Sequence, residues 1–215
     1  MKGIMLAISV SLLLAACSTS RITHSWKAGE ATANKYSKIL VLGMNSDSDI
    51  STRERMENHM VGDLAELGYT AVSSLKEFGP KAFRNMNEEA VISQLQTSGF
   101  DAVLTIVLLD KTKEKHYVPG QVYFSPYVVY QRRFWGYYST IYSRIYTPGY
   151  YTTNTRYFWE SNLYDLSTKE LLYSVQTQSF DPASAETMGH EYGRLIVKDM
   201  VKNHVLLRPE LVMTK

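Results

Sequence analysis

The chain has 215 residues, with 23 Lys and Arg against 21 Asp and Glu, a net charge of +2 and a single cysteine. A balance that close to zero excludes a chain-wide electrostatic case for nucleic acid. One cysteine excludes an internal disulfide, so the core must come from apolar burial, for which a single domain of this length is sufficient.

The first element is an apolar run, Ile4 to Ala16, behind one positive charge at Lys2 and ahead of Cys17. A charged n-region, an apolar h-region and small residues before a cut site read as a secretory signal peptide over residues 1–16. At 13 residues the run is shorter than the roughly 20 that a membrane-crossing helix needs. Leu14-Ala15-Ala16-Cys17 resembles the bacterial lipobox. The resemblance implies a diacylglycerol on the Cys17 sulfur and an acyl chain on its new N-terminus, and several chains make a stable anchor where one does not. With Ser18 rather than Asp after the cysteine, resemblance to proteobacterial sorting rules implies the outer membrane, facing the periplasm. Ser18 to Lys35 is polar and reads as a tether, so residues 17–35 are taken as lipidated cysteine plus tether.

The folded domain is expected over residues 36–208, with 209–215 as a tail. Tyr36 to Met44 is nearly continuous in apolar residues, which suits a strand buried on both faces. Ser51-Thr52-Arg53-Glu54 has the spacing of a capping box, and Met56, Met60, Val61, Leu64 and Leu67 follow at helical intervals up to Gly68. Tyr69 to Ser73 reads as a second strand. Asn87 caps a helix carrying Val91, Ile92 and Leu95 and ending at Gly99, and Phe100 to Leu109 opens a third strand. Helices between apolar strands argue for crossover units and parallel pairing.

Farther on, Arg156 to Leu166 and Leu171 to Phe180 flank the turn Ser167-Thr168-Lys169-Glu170, an antiparallel hairpin. Pro182 stands near the start of a last helix whose apolar face is Met188, Tyr192, Leu195, Ile196 and Met200. The expected fold class is α/β: a single mixed sheet of about five strands in the order β-α-β-α-β, then an antiparallel hairpin and a C-terminal helix, three helices in all.

Tyr36-Ser37-Lys38-Ile39-Leu40-Val41 and the hairpin Asn162-Leu163-Tyr164-Asp165-Leu166-Ser167-Thr168-Lys169-Glu170-Leu171-Leu172-Tyr173 resemble small envelope lipoproteins. The group is that of DUF4136-like and LpoB-like lipoproteins and the periplasmic domain of CsgG-type lipoproteins, which share the TolB N-terminal-like α/β domain. The resemblance spans most of the mature chain and implies a fold, not a catalytic set. The segment 117–157 departs from it.

That segment is a long insertion between the third and fourth strands, and it holds eleven of the sixteen tyrosines. From Lys115 to Trp159 there is no Asp or Glu, while Arg132, Arg133, Arg144, Arg156, Phe124, Phe134 and Trp135 accumulate. Long loops of this kind are functional or disordered, and disorder is poor in aromatics. Three readings stay open. Tyrosine suits half-buried strand positions, so the segment is two strands extending the sheet. Tyr and Arg are favoured at hot spots, so it is a docking surface for another envelope protein, with Tyr123, Tyr127, Arg132, Arg133 and Trp135 as anchors. Flat rings stack on sugars and Arg pairs with phosphate, so it binds envelope glycan, peptidoglycan or lipopolysaccharide, or anionic lipid headgroups.

The residues offer little for catalysis. His190-Glu191 lacks the second histidine of a zinc motif, because position 194 is Arg. His24, His59, His116 and His204 have no ligand spacing, so no metal and no cofactor beyond the covalent lipid on Cys17 is expected. Asp47 and Asp49 follow the first strand, where open sheets bind ligands, but the loop lacks the glycine and closing glutamate of a calcium site. Gly43 alone is no phosphate loop, and Asp110, Glu114 and Glu160 are possible catalytic carboxylates that no sequence motif brings together. The sequence therefore reads as a non-enzymatic lipoprotein. Its expected partners are the membrane, through the anchor, and a second envelope protein or a glycan, with no nucleic acid.

Overall fold

A computed structural model describes residues 19–29, 36–45, 49–118 and 150–207. The elements in chain order are β1 (Ser20–Lys27), β2 (Ile39–Met44), α1 (Ile50–Glu66), β3 (Ala71–Ser73), α2 (Ser74–Phe78), α3 (Glu88–Thr97), β4 (Ala102–Val118), β5 (Tyr150–Asp165), β6 (Leu171–Phe180) and α4 (Ala185–Lys202). The chain divides into two compact units: Thr112–Thr155 is one, and the residues up to Lys111 with Arg156–Lys215 are the other.

The six described strands form one sheet in the order β1-β6-β5-β4-β2-β3. β2 pairs in parallel with β3 and with β4, as crossovers through α1 and through α2 and α3 require. β5 and β6 pair antiparallel through the turn after Asp165. That turn is tied by the Asp165 carboxylate, which accepts from the backbone N–H groups of Ser167 (2.7 Å) and Thr168 (3.0 Å).

One face of this mixed sheet carries α1 and α4. Beneath them Val41, Leu104, Ile106, Trp159, Leu163, Tyr173 and Val175 pack against Met56, Met60, Leu64, Met188, Tyr192, Ile196 and Met200. Each of these side chains is almost wholly withdrawn from water, worth about 1.5–3 kcal/mol for a large apolar group. The four-residue spacing of Met188, Tyr192, Ile196 and Met200 puts them in one row of α4. Gly189 and Gly193 form the adjacent row, against Arg55, His59 and Asp63 of α1. On the opposite face, α2 and α3 cover only the β2–β4 end, where Leu40, Val103, Leu95, Phe100 and Leu166 make a second cluster with Phe78 and Phe83.

Several expectations from the sequence need correction. The α/β class and the single mixed sheet are as expected, and the six strands among the described residues are close to the five or so expected; β1 and the single-turn helix α2 are the additions. The stretch taken as tether contains β1, which pairs antiparallel with β6 from Ser20↔Ser179 to Lys27↔Tyr173. Ser51 lies inside α1, whose N-cap is Asp49, so no capping box forms; Thr52 Oγ1 donates to Asp49 Oδ1 instead (2.9 Å). Ser184 caps α4, accepting from Thr187 N (3.0 Å), and Pro182 stands near the helix start as expected. β4 runs to Val118 and β5 starts at Tyr150, so both strands extend into the insertion from either side.

Other expectations agree with the structure. Asn87 caps α3 by accepting from Ala90 N (2.9 Å), and Gly68 and Gly99 follow their helices with positive φ, as such ends require. β6 has the boundaries that the alternation implied, with Tyr173, Val175 and Thr177 inward.

Candidate functional site

The cleft at the carboxyl ends of parallel strands, where open sheets place ligands, is filled here by the protein itself. Glu57 of α1 is fully buried, and five donors converge on it. Its Oε1 accepts from Gly43 N (2.8 Å), Arg53 Nε (2.9 Å) and Ser74 Oγ (3.0 Å). Its Oε2 accepts from Ser73 Oγ (2.6 Å) and Leu75 N (2.9 Å). Arg53 reaches on to Ser74 Oγ (3.0 Å) and the Pro80 carbonyl (3.3 Å). Both carboxylate oxygens are saturated, so the cluster fastens α1 to β2, β3 and α2 and has no oxygen to offer a substrate. Gly43 is required because a Cβ there would meet Arg53 and Glu57.

A second surface is built by β1, β6 and β5. The registers of β1, β6 and β5 bring Arg21, Gln178 and Phe158 into one outward row, His24, Gln176 and Glu160 into the next, and Trp26, Ser174 and Asn162 into a third. Among the described residues no helix packs over these rows, and Arg21, His24, Trp26, Gln176 and Phe180 are exposed. The rows are joined by side-chain bonds. Arg21 Nη2 donates to Gln178 Oε1 (3.0 Å), and Glu160 accepts from Gln176 Nε2 (2.9 Å) and Asn162 Nδ2 (2.9 Å). Those two amides, Gln176 first, hold the Glu160 carboxyl below the usual carboxylate range despite its partial burial. It is a fixed anion on an otherwise amide- and aromatic-rich face.

At one end of this face is a cavity of about 350 Å³, lined by Thr19, Arg21, Arg156, Gln178 and Phe180. The Arg156 guanidinium carbon lies 5.3 Å from the Phe180 ring centre. Thr19 is clamped to the body: its N and Oγ1 both donate to Glu191 Oε2 (3.0 and 2.9 Å), and its carbonyl accepts from Phe180 N (3.0 Å). Only Ser18 separates it from Cys17.

Cys17 and the expected anchors Tyr123, Tyr127, Arg132, Arg133 and Trp135 lie outside the described residues, as does Asp47. Asp49 is engaged at the start of α1, with Lys111 Nζ 3.4 Å from its Oδ2. His190 is exposed beside α1, its ring centre 5.7 Å from that of His59. His59 Nε2 is 2.7 Å from Glu186 Oε1, and Arg55 pairs with the same carboxylate. Among the described residues no group of three His, Cys, Asp or Glu is placed to hold a metal ion, and no helix is long and apolar enough to cross a membrane. Glu114 and His116 stand 3.5 Å apart, and Lys111 N donates to Asp110 (2.8 Å). Within the Thr112–Thr155 unit the Tyr117 and Tyr151 rings touch, 5.1 Å between centres, and the two residues are 55% and 73% exposed.

Sequence reasoning overlooked the β1–β6–β5 face because β1 was read as tether. A bulge between Ile22 and His24 breaks the strict alternation of β1, so that Arg21 shares the outward face with His24 and Trp26.

No family model matches the chain, and no curated protein matches it. Solved structures similar to it include a point variant of the PelC dodecamer from Paraburkholderia phytofirmans, 10% identical over 87% of this chain and 97% of that one, TM-score 0.43. Lipoprotein GNA1162 from Neisseria meningitidis is 16% identical over 77% of this chain and 99% of that one, TM-score 0.41. A neuraminyllactose-binding hemagglutinin homolog from Helicobacter pylori is 10% identical over 82% and 89%, TM-score 0.35. The protein described here is an α/β chain, and one of the solved structures similar to it is a lipoprotein.

Proposed function

We propose that this protein is a lipid-anchored, periplasm-facing envelope lipoprotein of the outer membrane that works by contact and not by catalysis. The observation that carries the reading is the clamp on Thr19. A lipidated Cys17 two positions before the clamped Thr19 would hold the body against the bilayer, in place of the eighteen-residue tether expected from the sequence. At an extended reach of about 3.5 Å per residue, Thr19 stays within about 7 Å of the anchor. The Glu57–Arg53 cluster, which fills the ligand position of an open sheet, supports the non-enzymatic part.

Contact with a second envelope protein is assigned to the aromatic, acid-free segment 117–157, with Tyr123, Tyr127, Arg132, Arg133 and Trp135 as anchors. Its two described ends present exposed tyrosines. The anchor is tested by metabolic labelling with a palmitate analogue and by cell fractionation. Wild type carries label and sediments with outer membranes, while Cys17→Ser carries none and does not. The docking role is tested by crosslinking whole envelopes from cells lacking residues 119–149; an unchanged set of crosslinked proteins refutes it.

A further inference from the structure

We infer that the cavity between Arg21 and Arg156 binds the phosphate of an anionic lipid headgroup when the body rests on the bilayer. The inference rests on the anchoring of Cys17 proposed above.

The cavity joins three features. It carries two guanidinium groups, those of Arg21 and Arg156, beside Thr19, whose N and Oγ1 donate to Glu191. A guanidinium presents five N–H donors in a planar fork that matches phosphate oxygens; Gln178 takes one from Arg21 and so orients the fork. Phe180 adds an apolar wall, and the volume of about 350 Å³ is at the small end of ligand pockets, larger than a lone carboxylate needs.

Position selects the source of the phosphate. Thr19 lines the cavity and is two residues from Cys17, so an anchored body holds this opening at the depth of the headgroups. Intramolecular presentation raises the effective headgroup concentration, so a weak intrinsic site is occupied. Juxtamembrane Arg residues gain further from an anionic surface. Occupation would set the rotational orientation of the body on the membrane, which a lipid chain alone leaves open.

The test uses the full chain carrying Cys17→Ser, so that the site is read without the anchor. It is titrated with soluble short-chain phosphatidylglycerol, short-chain phosphatidylcholine and inorganic phosphate, at two salt concentrations. Saturable, salt-sensitive binding of phosphatidylglycerol is expected, weakened at least tenfold by Arg21→Gln and by Arg156→Gln, with phosphatidylcholine and inorganic phosphate much weaker. Arg21 is exposed at the sheet edge, so Arg21→Gln keeps the test open if Arg156→Gln unfolds, as a melting curve reports. Equal binding by folded Arg21→Gln and its parent overturns the site. Inorganic phosphate bound as tightly as phosphatidylglycerol overturns the lipid as its source, and so does binding of a peptidoglycan or lipopolysaccharide fragment in preference to it. Loss of palmitate label is scored separately on Cys17, so failure of the anchor is distinguishable from failure of the cavity.

Discussion

Gly193 of α4 faces the Asp63 carboxylate of α1 so closely that a Cβ at 193 would overlap Oδ2. The two helices meet through this glycine and Gly189, where a Cβ would press on His59. Gly193→Ala is therefore expected to destabilise the fold by about 1–3 kcal/mol through overpacking. Removing the obstacle in the same chain with Asp63→Ala should recover most of that loss. Urea unfolding of the two single variants and the double variant measures the coupling; additive losses would show that the contact is not the cause.

Asp63 carries a cost of its own. Its Oδ2 is buried with no hydrogen-bond partner among the described residues. Burial first, and then the Glu66 carboxylate, push its pKa up, while His190, His59 and Arg194 pull it down by less. A folded-state pKa above that of the unfolded chain favours the protonated form on folding. The stability it contributes is present at acid pH and is lost as pH rises through the raised value. Asp63→Asn should hence stabilise the protein near neutrality, by about 1 kcal/mol on the scale of an unsatisfied buried group, and by less at acid pH. Thermal melts of both proteins across that range check the sign.

Loss of Glu57 should be far more damaging. Glu57→Ala strands Arg53 and four other donors, and removing one partner of a buried pair costs about 3–5 kcal/mol. Glu57→Gln keeps the volume but turns one acceptor into a donor facing donors, so it should recover only part of the loss. Denaturant midpoints order the three proteins as wild type, Gln, Ala.

Trp159 and Thr177 are opposite one another in the β5–β6 pair, both buried, and neither Trp159 Nε1 nor Thr177 Oγ1 has a partner among the described residues. Thr177→Val exchanges an unpaired hydroxyl for a methyl group of similar size. A gain of about 1 kcal/mol in unfolding free energy is expected, and a loss would mean that the hydroxyl is bonded in solution.

How much of this was legible depended on apolar periodicity. β2, α1, α3, β6 and α4 announce themselves because each buries a regular row, as Met188, Tyr192, Ile196 and Met200 do. β1 does not, because its inward positions are small or polar: Ser20 meets Ser179, Ser25 meets Asp199, and Lys27 reaches the Asn203 carbonyl. Only Ile22 joins the core cluster. The start of α1 was misplaced because Ser51 and Glu54 have capping-box spacing while Asp49 is the residue that ends the preceding loop.

The candidate site was legible only in part. Glu57 carries no motif, since its five donors come from four separate elements and loops. Arg21 and Arg156 are 135 positions apart and meet only because β6 lies between β1 and β5. By contrast the Cys17 signal is local and the aromatic bias of 117–157 is compositional, so both are read without a fold.

The pairing of β1 with β6 also has a kinetic side. Ser20 and Ser179, whose hydroxyls bond at 2.7 Å, are 159 positions apart, so among the described strands the first, β1, pairs with the last, β6. Closing so long a loop is slow relative to the local β2–α1–β3 unit, which can form from its own contacts. Refolding of the denatured chain would thus complete the β2–α1–β3 unit while β1 is still unseated, and the clamp at Thr19 would close late.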